Sequence, residues 1–310
     1  MAKIKRNVTV TITIEEAVDQ YLLYCKNKNL SAVTLDTYTR HLKWLYIYME
    51  TKPIHTVTVE DLEDMLDRFN QEHQYSTRSE NNFRRYINGF FKWLKRKGMI
   101  AEEIRLDYKK QDKKIQPVPT DGQMKRLLTK PNLNECTYNH YACYIVVNII
   151  ASTGLRVGAI ANIKKQDIDF DNSVIHIKKA KNRKENIVTI NRKLKLVLKE
   201  FLATVEADCE YLIEDRDGKK FDEGCLSMNV IRYCRNCGVE CSAHCIRRWF
   251  AVSFMKQGGS IYTLSKLLHH SDIQTTQLYL ASCNVETFSD EMAQYNPLDH
   301  LNNEMRRNNR

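Results

Sequence analysis

The sequence predicts a mainly α protein with a small antiparallel β-sheet, arranged as a helical N-terminal domain followed by a larger α+β domain. Three observations carry this. Apolar residues recur at helical spacing behind capping signals through the first hundred residues. A lysine-rich stretch closed by prolines then interrupts the pattern, and beyond it one short region switches to strand-like alternation before helices resume. With 310 residues and 43% hydrophobic content, the chain is long enough for two separate cores.

Four helices are predicted in the N-terminal domain. Thr13 and Glu16 form a capping box before Tyr21, Leu22 and Leu23. Ser31 and Thr34 precede a second helix, in which Leu35, Tyr38, Leu42, Leu45 and Met49 repeat at helical spacing. Thr58 and Asp61 open the third, whose apolar face is Leu62, Met65, Leu66 and Phe69. Ser76 opens the fourth, with Phe83, Ile87, Phe90 and Leu94 as its stripe and Gly98 as its stop. That helix is strongly basic, with Arg78, Arg84, Arg85, Lys92, Lys95, Arg96 and Lys97. It leads into "LDYKKQDKKIQPVP", which carries Lys113 and Lys114 and reads as an extended linker. A solvated face explains one basic helix. A basic helix running into a basic linker also suits a clamp around a phosphate backbone. These boundaries give a helical domain over 1–105, a linker over 106–119 and a second domain over 120–310.

In the second domain Thr120 caps the first helix, and a buried helix runs through "YACYIVVNIIAS" to Gly154. Val174, Ile175 and Ile177 precede a lysine-rich turn, and Ile187, Val188 and Ile190 follow it, which predicts a small antiparallel sheet. Helices resume at "RKLKLVLKEFLATV" and continue to the end.

The 48 Lys and Arg residues against 38 Asp and Glu give a net charge of +10, which favours an anionic partner such as nucleic acid. At the N-terminus apolar residues alternate with threonine, so there is no continuous apolar core of a signal peptide. The longest apolar run is short of the ~20 residues a membrane span needs, and a cytoplasmic protein without membrane contact is expected. Ten cysteines without an export signal read as reduced thiols. In "YCRNCGVECSAHC", Cys234, Cys237, Cys241, Cys245 and His244 could supply four zinc ligands. Their spacing matches no common finger, and buried thiols at helical spacing account for it as well, so no metal is expected.

The stretch "HCIRRWFAVSFMKQGGSIYTLSKLLHHSDIQTTQLYLA" carries the chemistry. Ile246, Phe250 and Phe254 recur every four residues, while His244 and Arg247 lie one turn apart at the margin of that stripe. His270 falls after the following helix and Tyr279 nine residues later; Arg156 stands beside Gly154 in "STGLRVGAI". Singly these are core histidines, salt-bridge arginines and one of 16 tyrosines. Together they fit one chemistry. Two guanidiniums can grip a phosphodiester bidentately, histidines can add hydrogen bonds and move protons, and a tyrosine hydroxyl can attack phosphorus.

On these motifs the chain resembles the tyrosine recombinases of the phage integrase family over nearly its whole length. "STGLRVGAI" resembles the first arginine motif, "HCIRRWFA" the H-x-x-R box, and "LLHHSDIQTTQLYL" the histidine–tyrosine box, while "KKAKNRK" stands where the family carries a catalytic lysine. The resemblance implies a helical core-binding domain of SAM-like type and a catalytic domain acting on double-stranded DNA. It implies that Tyr279 is the nucleophile, that Arg156 and Arg247 neutralise the phosphate, and that His270 hydrogen-bonds it. His244 would assist proton transfer and Lys181 would protonate the leaving 5′ oxygen, with Lys178, Lys179 and Lys184 close by. No cofactor is required, because bond energy is conserved in a 3′-phosphotyrosyl link.

Three positions depart from the family pattern. Ala159 replaces an acidic residue, so whatever orients Arg156 must come from elsewhere. Arg248 stands in place of a histidine, and His269 in place of a glycine. No arm-binding domain is expected ahead of the first helix. That favours a simple integrase, a transposon recombinase or an Xer-like resolvase. The tail residues Val285, Phe288 and Met292 have helical spacing, and the family uses this segment to join protomers, which implies a homotetramer on DNA. The rival readings are a type IB topoisomerase-like activity, a DNA-binding protein that has lost catalysis and a zinc-dependent structural protein.

Overall fold

A computed structural model describes residues 12–49, 52–111, 117–177, 186–204, 210–215 and 217–268. It divides into two compact units, Met1–Lys113 and Lys114–Arg310, each with its own core. No described helix is long and apolar enough to cross a membrane.

The N-terminal unit contains α1 (Ile14–Asn27), α2 (Ala32–Met49), α3 (Val59–His73) and α4 (Thr77–Arg96). The expected capping boxes form at Thr13–Glu16 and Thr58–Asp61, and Ser76 accepts from the Ser79 amide. Each satisfies amides that have no partner within the helix. Phe83, Ile87, Phe90 and Leu94 of α4 are buried against Tyr21, Leu45 and Leu66.

The segment expected to begin a linker at residue 106 is held to α4 for its first few residues. Leu106 is buried, and Asn88 both donates to its carbonyl (2.9 Å) and accepts from its amide (2.8 Å). Asn81 repeats the pattern on Lys109 at 2.8 and 2.9 Å. Two amide side chains thus act as a strand partner for an extended backbone, and the helical unit extends past residue 105.

Arg84 corrects the expected basic face. It is 2% exposed and donates to Glu80 (2.9 Å), to Glu63 and to the Asp107 carbonyl (3.0 Å). Lys109 pairs with the same Glu80 at 2.7 Å. Burial alone would raise the Glu80 pKa, but Lys109 and Arg84 outweigh it and hold the carboxyl below its usual value. A guanidinium committed this way joins α3, α4 and the 106–109 segment and is not available to DNA. Removing one partner of a buried pair typically costs about 3–5 kcal/mol. Arg84→Ala is therefore expected to lower the stability of the N-terminal unit by about that amount in chemical denaturation of the full chain. Arg78→Ala, at an exposed position of the same helix, should leave it unchanged.

The second unit contains α5 (Asp121–Leu127), α6 (Tyr138–Thr153), α7 (Val157–Ile160), β1 (Ile168–Asp169), β2 (Val174–Ile177), β3 (Asn186–Thr189), α8 (Arg192–Thr204), α9 (Glu223–Asn236), α10 (Ala243–Lys256) and α11 (Ile261–Leu267). α6 is buried along nearly all its length and packs against α8, α9 and α10. The sheet has the order β1-β2-β3, antiparallel throughout, with Ile175 opposite Val188 and Ile177 opposite Asn186. Its second and third strands are the predicted pair; the two-residue β1 adds an edge.

Candidate active site

The site is built on the turn that ends α6. Gly154 adopts φ +68°, and its amide closes the helix onto the Ile150 carbonyl at 2.8 Å. A Cβ there would lie 2.6 Å from the Phe250 ring and 2.7 Å from the Leu268 side chain. Both the left-handed backbone and the space require glycine. α10 and the end of α11 therefore press directly on the turn. Arg156 follows in extended conformation as the residue before α7, with its side chain exposed.

Arg247 ties the three pieces together. It lies on α10, 2% exposed, and donates through Nη2 to the Leu268 carbonyl (2.7 Å) and through Nη1 to the Gly154 carbonyl. One guanidinium thereby fixes the turn bearing Arg156 to the point from which the chain continues toward His270. A guanidinium carries five N–H donors, so holding two carbonyls does not exhaust it.

His244 sits one turn before Arg247 with access to solvent. The surrounding protein, and then the guanidiniums of Arg248, Arg247 and Arg156, hold its imidazole pKa below the ordinary histidine value. The ring is neutral at neutral pH and can accept a proton. Arg156, His244 and Arg247 thus share one electropositive neighbourhood.

Arg248, one of the departures, is 7% exposed and donates to the Pro117 carbonyl at 3.1 Å. The adjacent Trp249 Nε1 donates to Asp121 at 2.8 Å. α10 therefore anchors the entry to this unit on one side and the arginine cluster on the other.

Lys181, His270 and Tyr279 lie outside the described residues, as do Lys113, Lys114 and the tail from Val285. Lys181 falls in the segment between the paired strands β2 and β3. On α4, Arg78, Arg85 and Lys92 are exposed and repeat every seven residues, which sets them on one helix face. Lys95 is exposed and donates to the Ala101 carbonyl. Cys234 is buried in the core of this unit, with Cys237 and Cys241 packed against that core. Among the described residues no group of His, Cys, Asp and Glu is placed to hold a metal ion.

Comparison with known proteins fits this arrangement. The phage integrase family model matches residues 119–285, and the model of the phage integrase N-terminal SAM-like domain matches residues 18–98. Tyrosine recombinase XerA of Pyrococcus horikoshii is 23% identical over 86% of this chain and 90% of its own. Tyrosine recombinase XerD of Staphylococcus aureus is 25% identical over 86% of this chain and 94% of its own. In fold, the Tn1549 transposon integrase in complex with a circular intermediate DNA superposes with a TM-score of 0.72 at 17% identity, covering 91% of this chain and 99% of that one. A lambda integrase in a tetramer bound to a Holliday junction gives 0.72 at 16% identity, covering 87% and 78%. The family model spans more than half of the chain, and the arginine cluster lies within it: the chain belongs to the phage integrase family of tyrosine recombinases.

Proposed function

We propose that the protein cuts and rejoins DNA at a specific site, with residues 120–310 as the catalytic domain and the helical unit as a core-binding clamp. The observation that carries this reading is Arg247, which holds the Arg156 turn and the end of α11 in one frame with His244 beside them. A scissile phosphate bound there meets two guanidiniums and a neutral imidazole. The Tyr279 hydroxyl attacks phosphorus, its proton passes to His244, and the P–O5′ bond breaks as Lys181 protonates the departing oxygen. Arg156, Arg247 and His270 stabilise the charge of the pentacoordinate transition state. A 5′ hydroxyl from a second strand then attacks the phosphotyrosine, re-forms a phosphodiester and returns the tyrosine. Covalent capture of the chain on a nicked duplex tests this reading. Binding without any cleavage would leave only a DNA-binding protein, the rival that has lost catalysis.

The leaving-group step has its own test. Lys181→Ala is expected to slow cleavage by about 10²–10⁴-fold, the usual contribution of a positioned proton donor. A substrate whose bridging 5′ oxygen is sulfur needs little protonation and should restore the mutant selectively. Rescue of a Lys178 or Lys184 mutant in its place would move the general acid.

On the DNA, Arg78, Arg85 and Lys92 of α4, with Lys95, Lys113 and Lys114 near them in sequence, are proposed to meet the phosphate backbone. Assembly is proposed as a homotetramer joined by exchange of the C-terminal tails. Truncation from Val285 onward should leave DNA binding intact and impair strand exchange; undiminished recombination by the truncated chain would rule tail exchange out.

A further inference from the structure

Position 159 lacks the acidic residue that the first arginine motif of the family carries there, and the structure brings a carboxylate to the same turn from elsewhere. An ideal Cβ on Gly158 would lie 2.4 Å from Oε2 and 2.6 Å from Oε1 of Glu223. The Glu223 carboxylate therefore occupies the space over Gly158, next to Ala159 and two residues after Arg156. Gly158 does not have the positive φ that would demand glycine, and it stands inside α7, where glycine is a poor helix former. The Glu223 carboxylate fills the room that a larger residue would need, and as the end of an exposed, flexible side chain it would have to move aside for one. Glu223 is the first residue of α9, so its backbone is fixed by the helix that Asp222 caps.

We propose that Glu223 is the positioning residue for Arg156, supplying from α9 the carboxylate missing at position 159; the inference rests on the recombinase reading above. Arg156 is exposed, and Arg247 and Arg248, which act with it on His244, repel it. A long arginine side chain can swing past Val157 toward the carboxylate over Gly158. Pairing there holds the guanidinium aimed when the phosphate arrives, and it offsets the repulsion from the neighbouring arginines.

Three substitutions in the full chain, alone and combined, test this by single-turnover cleavage of a nicked cognate duplex at saturating protein, with DNA affinity and thermal stability measured alongside. Glu223→Ala removes the carboxylate. Gly158→Ala drives a Cβ into it and displaces it. Each is expected to slow cleavage roughly tenfold or more, because misplacement of a reacting group carries that scale of loss, with DNA affinity unchanged. The pair combined should be no slower than either alone, since both act on one contact. Ala159→Glu returns an acid to the motif and should restore cleavage in the Glu223→Ala background. A role confined to the end of α9 would lower the melting temperature and be untouched by a change at 159. Cleavage by Glu223→Ala at the native rate overturns the proposal, and so does loss that Ala159→Glu fails to repair. Absence of any adduct with the native chain would overturn the recombinase reading and this proposal with it.

Discussion

Tyr279→Phe should bind a duplex carrying the recombination site as tightly as the native chain does and form no covalent adduct with it. The native chain, given a duplex nicked just beyond the scissile phosphate, should accumulate a protein–DNA adduct in the presence of EDTA. The nick lets the short 5′ fragment diffuse away, so religation fails and the phosphotyrosine is trapped. A phenol with a pKa near 10 is a weak nucleophile at neutral pH, so the proposed mechanism gives it a phosphate already held by Arg156, Arg247 and His270 and a base to take its proton. His244 suits that part, because the surrounding protein and three guanidiniums hold its imidazole pKa below the ordinary histidine value. Phenylalanine keeps the ring and lacks only the attacking oxygen. An adduct that persists in Tyr279→Phe would place the nucleophile elsewhere, and one that needs added divalent cation would overturn the mechanism.

Much of the fold can be read locally because the forces that set it are local. The boxes at Thr13–Glu16 and Thr58–Asp61 close within one helical turn, and the stripes Leu62–Phe69 and Phe83–Leu94 each bury the face that their period marks. The two longer strands announce themselves by alternation. β1 does not, since two residues have no period to show. What escapes such a reading is set by partners distant in sequence. Arg84 is the exception, where a local signal existed and pointed inward. It stands four residues after Glu80 and three before Ile87, in phase with the buried stripe, so a count of positive charges misassigns it while its phase does not.

The chemistry at the site divides along the same line. Residue types and intervals mark Arg156, His244 and Arg247, and the fold brings those three into one neighbourhood. Nothing local marks Arg248 as the anchor of the Pro117 carbonyl or Glu223 as the carboxylate over Gly158, because each meets its partner only after the helices pack. Gly158 itself is the one trace in the sequence. It makes no turn, and the room its missing side chain leaves is taken by the Glu223 carboxylate.

Arg247 carries the largest expected effect within the described residues, because structure and chemistry converge on one side chain. Arg247→Ala leaves the Gly154 carbonyl and the Leu268 carbonyl without the donor that joins them. Each unsatisfied buried group costs about 1–3 kcal/mol, so the second unit should lose about 2–6 kcal/mol for the two carbonyls in chemical denaturation. Cleavage should fall further than stability alone explains, by about 10²–10³-fold at a temperature where the variant is fully folded, the loss typical of removing one donor to a developing oxyanion. Arg247→Lys separates the two contributions. An ammonium keeps the charge but is a single point that cannot span both carbonyls and also face a phosphate in a planar fork. It should recover part of the stability and little of the cleavage. The turn at Gly154 would then be free to drift from α11, and Arg156 with it. Native-rate cleavage by Arg247→Lys would show that positive charge alone suffices there, and that the frame built from two carbonyls has no part in the reaction.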